Sequence, residues 1–535
     1  MLAARPPAAR LALAASLALI ALALLAPAAL AREVYVPNSD ANTVSVIDTT
    51  TNQVTATIPT GPLSGPFGLA ISPDGRTVYT ANSVGDSVSA ISTQTKSTVG
   101  APIPVGERPL GIAITPDGKR AYVTNFQDDS VTVLDLVAGA VVGAPIPVGE
   151  GPEGVAITPD GSRVFVTNAG GETVLGDTVS VIDTATNQVL GLPIPVGLGP
   201  FGLAVTPDGT RLYVANNDAE TVSVIDTASL RVLGPPIAVE EDPSGIAITP
   251  DGARAYVANF NGDSISVIDT AANAVVSAIP GVGAAEFVAL TPDGRLGYVS
   301  SENTVAPFSV GPNQLLSPIA IGGQATEETG QPAVVPNQPP VAAFAPAAKR
   351  IRPGVVTELS AAASADPDGT VATYAWDFDD GQTASVPAPV VKHVFRRPGK
   401  FQATLTLTDA EGCSTALVFT GQTASCNGSA VATATETVTV AYPGVRLKCP
   451  KRALPGGCAF KLRAVAVKGR DKKRIKPQSG FVRTRVKPGQ TKIVSIKPRK
   501  AFAKRLARAK RILVQETRKI AGEKRQRIRK LSVVR

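Results

Sequence analysis

The chain is poor in the side chains that most enzyme sites use. Its 535 residues include one His, one Trp, one Met and four Cys, and only 4% are aromatic. A single His excludes sites that need two imidazoles, such as histidine-rich metal cages and HExxH proteases. No CxxCH segment is present to attach a c-type haem. These absences lower the expectation of an enzyme.

The first 31 residues have the organisation of a secretory signal peptide. Arg5 and Arg10 supply positive charge, Leu11 to Leu25 supply a short apolar stretch, and Ala29 to Ala31 fit the small-x-small cleavage rule. The alternative is a membrane anchor, which Pro27 and the short apolar stretch disfavour. No later run of about 18 apolar residues predicts a membrane span. We therefore expect a secreted or cell-envelope protein.

The four cysteines fit an oxidising compartment. Cys413 and Cys426 lie 13 residues apart, and Cys449 and Cys458 lie 9 apart. Four cysteines allow three pairings, and local pairing is favoured because each pair falls in its own predicted domain. Metal binding is the poorer interpretation, since the spacing is not CxxC and no His is near.

A repeated Pro-Asp-Gly turn organises the first half of the chain. Successive Asp residues of this turn are separated by 43, 43, 48, 43 and 42 residues. Each turn lies between short β-branched runs, and the second run has the form Tyr-Val-x-Asn, as at Tyr122 to Asn125. Four such runs in each period predict the four antiparallel strands of one β-propeller blade. The turns contain Asp74, Asp117, Asp160, Asp208, Asp251 and Asp293.

The second run occurs seven times, but a first run with a clear Pro-Asp-Gly turn occurs only six times. A ring of seven blades therefore lacks one inner strand at its beginning. Residues 331–336 fit the missing strand, and we expect them to pair with Val34 to Val36 and close the ring. The alternative is an open array of repeats. The repeated Asp and Asn residues are interpreted as residues that stabilise turns, because an active site does not recur in every blade.

These repeats resemble the YVTN family of β-propeller repeats, whose motif occurs literally at Tyr122 to Asn125. The resemblance implies a propeller over residues 32–338. It is poor evidence for function, because the broad group includes binding proteins, surface-layer components and distant lactonase-like relatives.

Residues 339–441 follow another pattern. Tyr374, Trp376 and Phe378 share one face of a predicted strand, and Trp376 begins the segment Trp-Asp-Phe-Asp-Asp-Gly. This segment resembles a PKD domain, which implies an immunoglobulin-like β-sandwich that acts as a spacer or interaction module. Glu411 to Ser429 depart from that pattern as a loop insertion that carries one cysteine pair. His393 is interpreted as structural, because no nucleophile or second His accompanies it.

Residues 442–535 form a strongly basic end. From Arg446 onward there are 32 Lys and Arg against three acids, a net charge of +29, although the whole chain carries only +9. Strand patterns at Phe460 to Val467 and Ile528 to Val534 predict a small β-rich domain, interpreted as immunoglobulin-like. One short helix is allowed at Ala501 to Lys510. The basic charge suits anionic polymers, or it is a solvated surface without a ligand.

One face of the predicted propeller is acidic. This face, called the crossing face below, holds the turns between second and third strands and the connections between blades. We predict a site there for a cation or a partner, against the alternative of a solvated acidic rim. Calcium would suit oxygen ligands, but no calcium-loop motif supports it, and we expect no resident metal or cofactor. The candidate residues are Glu107, Asp128, Asp129, Glu150, Glu153, Asp177, Asp218, Glu240, Glu241, Asp242, Asp263 and Glu286.

The sequence therefore predicts an all-β, secreted or cell-surface binding protein without catalytic residues. The propeller would present the interaction face, the PKD-like domain would be a spacer, and the basic end would contact envelope polysaccharide or a surface protein. A contact between the acidic crossing face and the basic end of the same chain is a further hypothesis. Two alternatives stay open: a lactonase-like propeller hydrolase, and extracellular nucleic-acid binding through the basic end. Nucleic acid is disfavoured, since no set of stacking aromatics accompanies the charge.

Overall fold

The computed structural model describes residues 32–171, 175–321, 330–346, 348, 350–421 and 424–442, and beyond them the backbone of the strands between Gly444 and Val534. Two compact units divide the chain. The first contains Met1–Pro340, Asp366–Val371 and Thr408–Ala432, and the second contains Val341–Ala365, Ala372–Leu407 and Thr433–Arg535. The predicted signal peptide and the predicted helix at 501–510 lie outside the described residues.

Among the described residues of the first unit, seven antiparallel sheets form the propeller, one for each predicted blade. Blade one has β1 (Glu33–Asn38), β2 (Thr43–Asp48) and β3 (Gln53–Pro59). Blade two has β4 (Pro66–Ile71), β5 (Thr77–Asn82), β6 (Ser87–Ser92) and β7 (Ser97–Pro104). Blade three has β8 (Pro109–Ile114), β9 (Arg120–Asn125), β10 (Ser130–Asp135), β11 (Ala140–Val141) and β12 (Ile146–Pro147). Blade four has β13 (Pro152–Ile157), β14 (Arg163–Gly170), β15 (Leu175–Asp183), β16 (Gln188–Val189) and β17 (Ile194–Pro195).

The remaining blades repeat this order. Blade five has β18 (Pro200–Val205), β19 (Arg211–Asn216), β20 (Thr221–Asp226), β21 (Arg231–Val232) and β22 (Ile237–Ala238). Blade six has β23 (Pro243–Ile248), β24 (Arg254–Asn259), β25 (Ser264–Asp269) and β26 (Ala274–Pro280). Blade seven has β27 (Ala285–Leu290), β28 (Leu296–Ser301), β29 (Thr304–Ser309), β30 (Gln314–Leu315) and β31 (Ile319–Ala320).

A late strand closes the ring. Strand β32 (Ala333–Val334) pairs antiparallel with β1, with Val34 opposite Val334 and Tyr35 opposite Ala333. Blade one therefore has the order β3-β2-β1-β32. A second contact joins the two ends of the ring, because the Tyr298 hydroxyl of blade seven donates to Asn52 Oδ1 of blade one over 2.9 Å. Strand β32 covers the inner edge of β1, which would otherwise be left unpaired.

The Pro-Asp-Gly turns are structural, as their repetition indicates. In blade four the Thr158 hydroxyl and the Ser162 backbone N–H both donate to Asp160 Oδ1, over 2.5 and 2.9 Å. Gly161 takes a φ of 71°, a conformation that favours glycine. Burial acts to raise the pKa of Asp160, but these hydrogen bonds outweigh it and hold that pKa below its ordinary value.

The Asn of each Tyr-Val-x-Asn run is buried and structural too. In blade three the Asn125 Nδ2 donates to Ser130 and Thr132 on the neighbouring strand, and its Oδ1 accepts the Gly106 N–H of the preceding connection. Tyr122 is fully buried, and its hydroxyl donates to Asn187 in the next blade. The motif therefore joins strands within a blade and blades to each other.

The PKD-like sandwich has two sheets. One contains β33 (Ala345–Pro346), β34 (Thr357–Ser360) and β37 (Val390–His393). The other contains β35 (Val371–Asp377), β36 (Thr383–Val386), β38 (Gly399–Asp409) and β41 (Thr433–Val440). Trp376 is 2% exposed and lies in the core. His393 stacks on Phe378 with ring centroids 3.8 Å apart, and its Nε2 lies 2.9 Å from Asp380 Oδ2, so its contacts are structural.

The insertion between β38 and β41 is a short hairpin with one helical turn. It contains β39 (Leu417–Phe419), β40 (Ala424–Asn427) and a 3₁₀ helix (Ala430–Ala432). The predicted disulfide between Cys413 and Cys426 is present, with Cα atoms 5.5 Å apart. Pairing of Cys449 with Cys458 lies outside the described residues.

The described backbone of the basic end contains seven strands. They are β42 (Gly444–Lys448), β43 (Cys458–Val467), β44 (Ile475–Pro477), β45 (Val482–Val486), β46 (Thr491–Ser495), β47 (Arg511–Ile520) and β48 (Glu523–Val534). They form one sheet in the order β44-β43-β47-β48-β42-β46, with β45 also paired to β43. The β-rich character is confirmed, while its assignment to the immunoglobulin-like class stays a prediction.

Candidate binding face of the propeller

Backbone hydrogen bonds build the crossing face, because they join each connection between blades to the turn between second and third strands. The Gln127 N–H donates to the Glu107 carbonyl, and the Phe126 N–H donates to the Arg108 carbonyl over 3.0 Å. The face is made of loops 39–42, 60–65, 83–86, 105–108, 126–129, 148–151, 196–199, 217–220, 239–242, 260–263, 281–284 and 302–303, among the described residues.

These loops are acidic. They contain thirteen carboxylates and one cationic side chain, Arg108. The carboxylates belong to Asp40, Asp86, Glu107, Asp128, Asp129, Glu150, Asp218, Glu220, Glu240, Glu241, Asp242, Asp263 and Glu302. Asp177 is exposed in blade four, while Glu153 is half-buried and Glu286 is 6% exposed on inner strands. The predicted site residues are therefore spread around the ring and not gathered at one point.

Several acids of the crossing face, the predicted Asp129 and Asp263 among them, have a structural role that the sequence reasoning missed. Asp86 accepts the Arg108 N–H, Asp129 accepts the Gly151 N–H and Asp263 accepts the Ala284 N–H, over 2.9, 2.9 and 3.1 Å. The three acids adopt φ of 46°, 48° and 47° at the same place in their blades. Recurrence of Asp or Asn at this place was the available signal, since such residues tolerate this conformation and cap backbone N–H groups.

The other predicted acids on these loops either accept hydrogen bonds or have exposed side chains. Asp128 Oδ2 accepts the Glu107 N–H over 2.7 Å, and Asp242 Oδ2 accepts the Asn261 side-chain amide. The side chains of Glu107, Glu150, Asp218, Glu240 and Glu241 are exposed, so their charge faces solvent.

Apolar rings fill the channel inside this face. Phe287 contacts Phe67 and Phe201, with ring centroids 5.6 Å apart in both pairs, and Leu110 joins them in one buried cluster. The space left among these side chains is about 30 Å³, which accommodates about one or two water molecules. The sequence reasoning missed this cluster, although Pro-Phe-Gly recurs at 66–68 and 200–202.

The insertion of the PKD-like domain covers the other end of the channel. The Ile157 N–H, at the end of an inner strand, donates to the Gly421 carbonyl over 2.7 Å. Phe419 is 1% exposed and, with Ala424, belongs to the same core cluster as Tyr122 and Ile157. A cleft of about 630 Å³ remains beside the hairpin, lined by Pro-Asp-Gly turns and the disulfide.

A buried arginine holds the insertion against the N-terminal strand. Arg32 is 5% exposed, and its guanidinium donates to Asp368, to Glu411 over 2.7 Å and to Asn337. Asn337 Nδ2 in turn donates to Asp409 Oδ2 over 2.9 Å. The sequence reasoning did not identify this cluster, because Arg32 lies 336 residues from Asp368 and 379 from Glu411.

The carboxylates of this cluster have altered proton affinity. Burial, together with the negative charges of Asp368 and Asp409, raises the pKa of Asp366 to about 6. Burial also raises the pKa of Glu411, although Arg32 opposes the change.

Within the described residues, no group of three or more His, Cys, Asp or Glu is arranged to hold a metal ion. No helix in the described part of the chain is long and apolar enough to cross a membrane.

The fold and the site define a closed seven-bladed propeller with a covered channel, followed by an immunoglobulin-like module. Residues 36–310 match the family described as lactonase, 7-bladed beta-propeller, and residues 337–424 match the PKD domain. Because the propeller match spans more than half of the chain, the protein belongs to the lactonase-type seven-bladed β-propeller family.

Matches to individual proteins are more limited. The pre-pro-metalloprotease PrtV of Vibrio cholerae serotype O1 is 39% identical over 56 residues, which is 10% of this chain and 6% of the relative. Hydrazine synthase of Kuenenia stuttgartiensis is 22% identical with a TM-score of 0.46, covering 55% of this chain and 92% of that one. A functionally unknown protein from Desulfotomaculum acetoxidans DSM 771 is 18% identical with a TM-score of 0.49, covering 56% and 98%.

Proposed function

We propose that this protein is a secreted or cell-surface binding protein whose crossing face holds a cationic partner. The observation that carries the proposal is the charge of that face, where thirteen carboxylates accompany one guanidinium. A face with charge of one sign attracts a partner of the other sign and speeds encounter. The partner class is a basic surface protein.

The filled channel argues for binding rather than hydrolysis. A hydrolase of small molecules needs a concave site in which catalytic groups converge on the substrate. Here aromatic side chains leave about 30 Å³ at the crossing-face end of the channel, and about 50 Å³ remains where the insertion meets the inner strands. The exposed acids lie apart around the rim. The family name nevertheless suggests lactone hydrolysis, so this activity is also tested below.

Export and the basic end complete the proposal. The paired Cys413 and Cys426 suit an oxidising compartment, and the signal-like first 31 residues would direct the chain there. The basic end, with a net charge of +29 from Arg446 onward, would contact anionic envelope polysaccharide. The basic end could instead bind DNA or the crossing face of the same chain. Competition of DNA with envelope polysaccharide, in low and high salt, tests these alternatives.

The test compares binding of a fluorescein-labelled deca-lysine peptide to the full chain and to two charge variants. The variant Glu107→Gln with Glu150→Gln removes two exposed acids of the crossing face. The control Glu358→Gln with Glu436→Gln removes two exposed acids of the sandwich. We expect the first to weaken binding about 2- to 30-fold, since each of the two exposed ion pairs contributes about 0.2–1 kcal/mol, and the control to change it less. Equal effects would contradict the proposal.

The same preparation is incubated with a panel of simple lactones. Turnover that Glu153→Gln abolishes, with the fold retained, would replace the binding proposal by the hydrolase alternative. Glu153 is chosen because it lies half-buried where the inner strands meet the channel. Absence of turnover together with peptide binding is the expected result.

A further inference from the structure

Blade three contains a cation–π contact between two side chains of the crossing face. The Arg108 guanidinium lies over the Phe126 ring, 4.7 Å from its centroid. Such an arrangement is attractive, because the face of an aromatic ring carries partial negative charge. The pair is held by the backbone, because the Phe126 N–H donates to the Arg108 carbonyl over 3.0 Å. Arg108 adopts a φ of 50°.

Blade six has the same loops with a different side chain in the place of the arginine. The Phe260 N–H donates to the Asp242 carbonyl over 2.9 Å, and Asp242 adopts a φ of 52°. Phe260 and Asp242 therefore correspond to Phe126 and Arg108. Phe260 is 39% exposed, and no cation lies over its ring among the described residues.

The surroundings of Phe260 are more acidic than those of Phe126. Glu240, Glu241 and Asp242 are consecutive, and the first two are exposed. Gly262 allows the turn to approach this segment closely, since a Cβ at residue 262 would come within 2.8 Å of the Glu240 Cβ. In blade three the glycine and the acid exchange places: Gly106 lies in the connection between blades and Asp128 lies in the turn. Blades three and six thus each place one acidic side chain at this contact.

We propose that Phe260 and the carboxylates of Glu240, Glu241 and Asp242 bind an arginine side chain of a basic partner protein. The partner guanidinium would occupy the position over Phe260 that Arg108 occupies over Phe126. Its charge would be met by carboxylates that form no ion pair within the part of the chain that the structure describes. The inference rests on the proposed function, because it names the chemistry and the place of the partner's contact.

Three variants test the site with a fluorescein-labelled peptide of five Gly-Arg repeats, measured by anisotropy at low salt. Phe260→Leu keeps an apolar side chain and removes the aromatic ring, so affinity should fall about 2- to 5-fold. Its control is Phe126→Leu, at a ring that Arg108 already covers, which should change affinity less. Thermal unfolding verifies that each variant is folded.

Asp242→Arg gives the chain its own guanidinium at Phe260. Residue 242 accepts arginine because Arg108 has nearly the same backbone conformation. The control Asp218→Arg makes the same charge change elsewhere on the crossing face. We expect Asp242→Arg to weaken peptide binding more than Asp218→Arg.

The outcomes separate this inference from the proposed function. If the peptide binds but Phe260→Leu equals Phe126→Leu and Asp242→Arg equals Asp218→Arg, the Phe260 site is wrong and the binding face stands. If the wild-type chain does not bind the peptide at low salt, the site and the proposed function are both overturned.

Discussion

Replacement of Arg32 by Gln should strongly destabilise the contact between the N-terminal strand and the insertion. The Arg32 guanidinium is 5% exposed and contacts Asp368 and Glu411. Two unit charges about 4 Å apart attract by about 4 kcal/mol at an effective dielectric of about 20. Desolvation of the guanidinium offsets part of this attraction, and loss of one partner of a buried pair costs about 3–5 kcal/mol. We expect a loss in this range.

Denaturant unfolding followed by far-ultraviolet circular dichroism measures the change. The control is Arg76→Gln, which removes an exposed arginine in the first Pro-Asp-Gly turn and should alter stability by at most about 0.5 kcal/mol. A second variant, Arg32→Gln with Glu411→Gln, should recover part of the loss because it removes a carboxylate left without its partner.

The effect should also depend on pH. Without Arg32 the buried carboxylates bind protons more tightly in the folded chain than in the unfolded one. Stability of the variant is then lost as pH rises through the raised pKa values. The loss relative to wild type should therefore be larger at pH 8 than at pH 5. A loss no larger than that of Arg76→Gln, or one independent of pH, would refute the assigned role of Arg32.

Two further changes have expected outcomes. Asp366 has a folded-state pKa of about 6 against 3.8 for the free side chain, so the folded chain binds more protons between these values and stability falls as pH rises through them. Asp366→Asn should stabilise the protein at pH 7.5 by about 1–2 kcal/mol after allowance for solvent screening, and calorimetry that shows destabilisation there would contradict this. Val334, 4% exposed, closes the ring, so Val334→Asp should cost at least about 3 kcal/mol in denaturant unfolding. The control Val276→Asp, at a side chain 54% exposed, should cost much less, and equal costs would argue against closure by β32.

Features that depend on neighbours in the chain could be predicted from the sequence. The Asp160 turn is stabilised by Thr158 and Ser162, within two residues on either side, and such turns mark the blades wherever they recur. The seven-bladed ring followed from a count of these repeats, and its closing pair, Val34 with Val334, is a consequence of the missing first strand. The Cys413–Cys426 pair is local too, with a separation of 13 residues.

Only the tertiary structure decided how the acids are used. Asp129 and Glu150 looked alike as acidic loop residues, but Asp129 accepts the Gly151 N–H, while the side chain of Glu150 is exposed. The Arg32 cluster and the hairpin that contacts Ile157 unite residues hundreds of positions apart. A sequence pattern shows which side chains recur along one strand or turn. It does not show which distant segments come into contact after the ring has closed. Whether a charge is paired, buried or free depends on those contacts, and so it was settled by the folded chain alone.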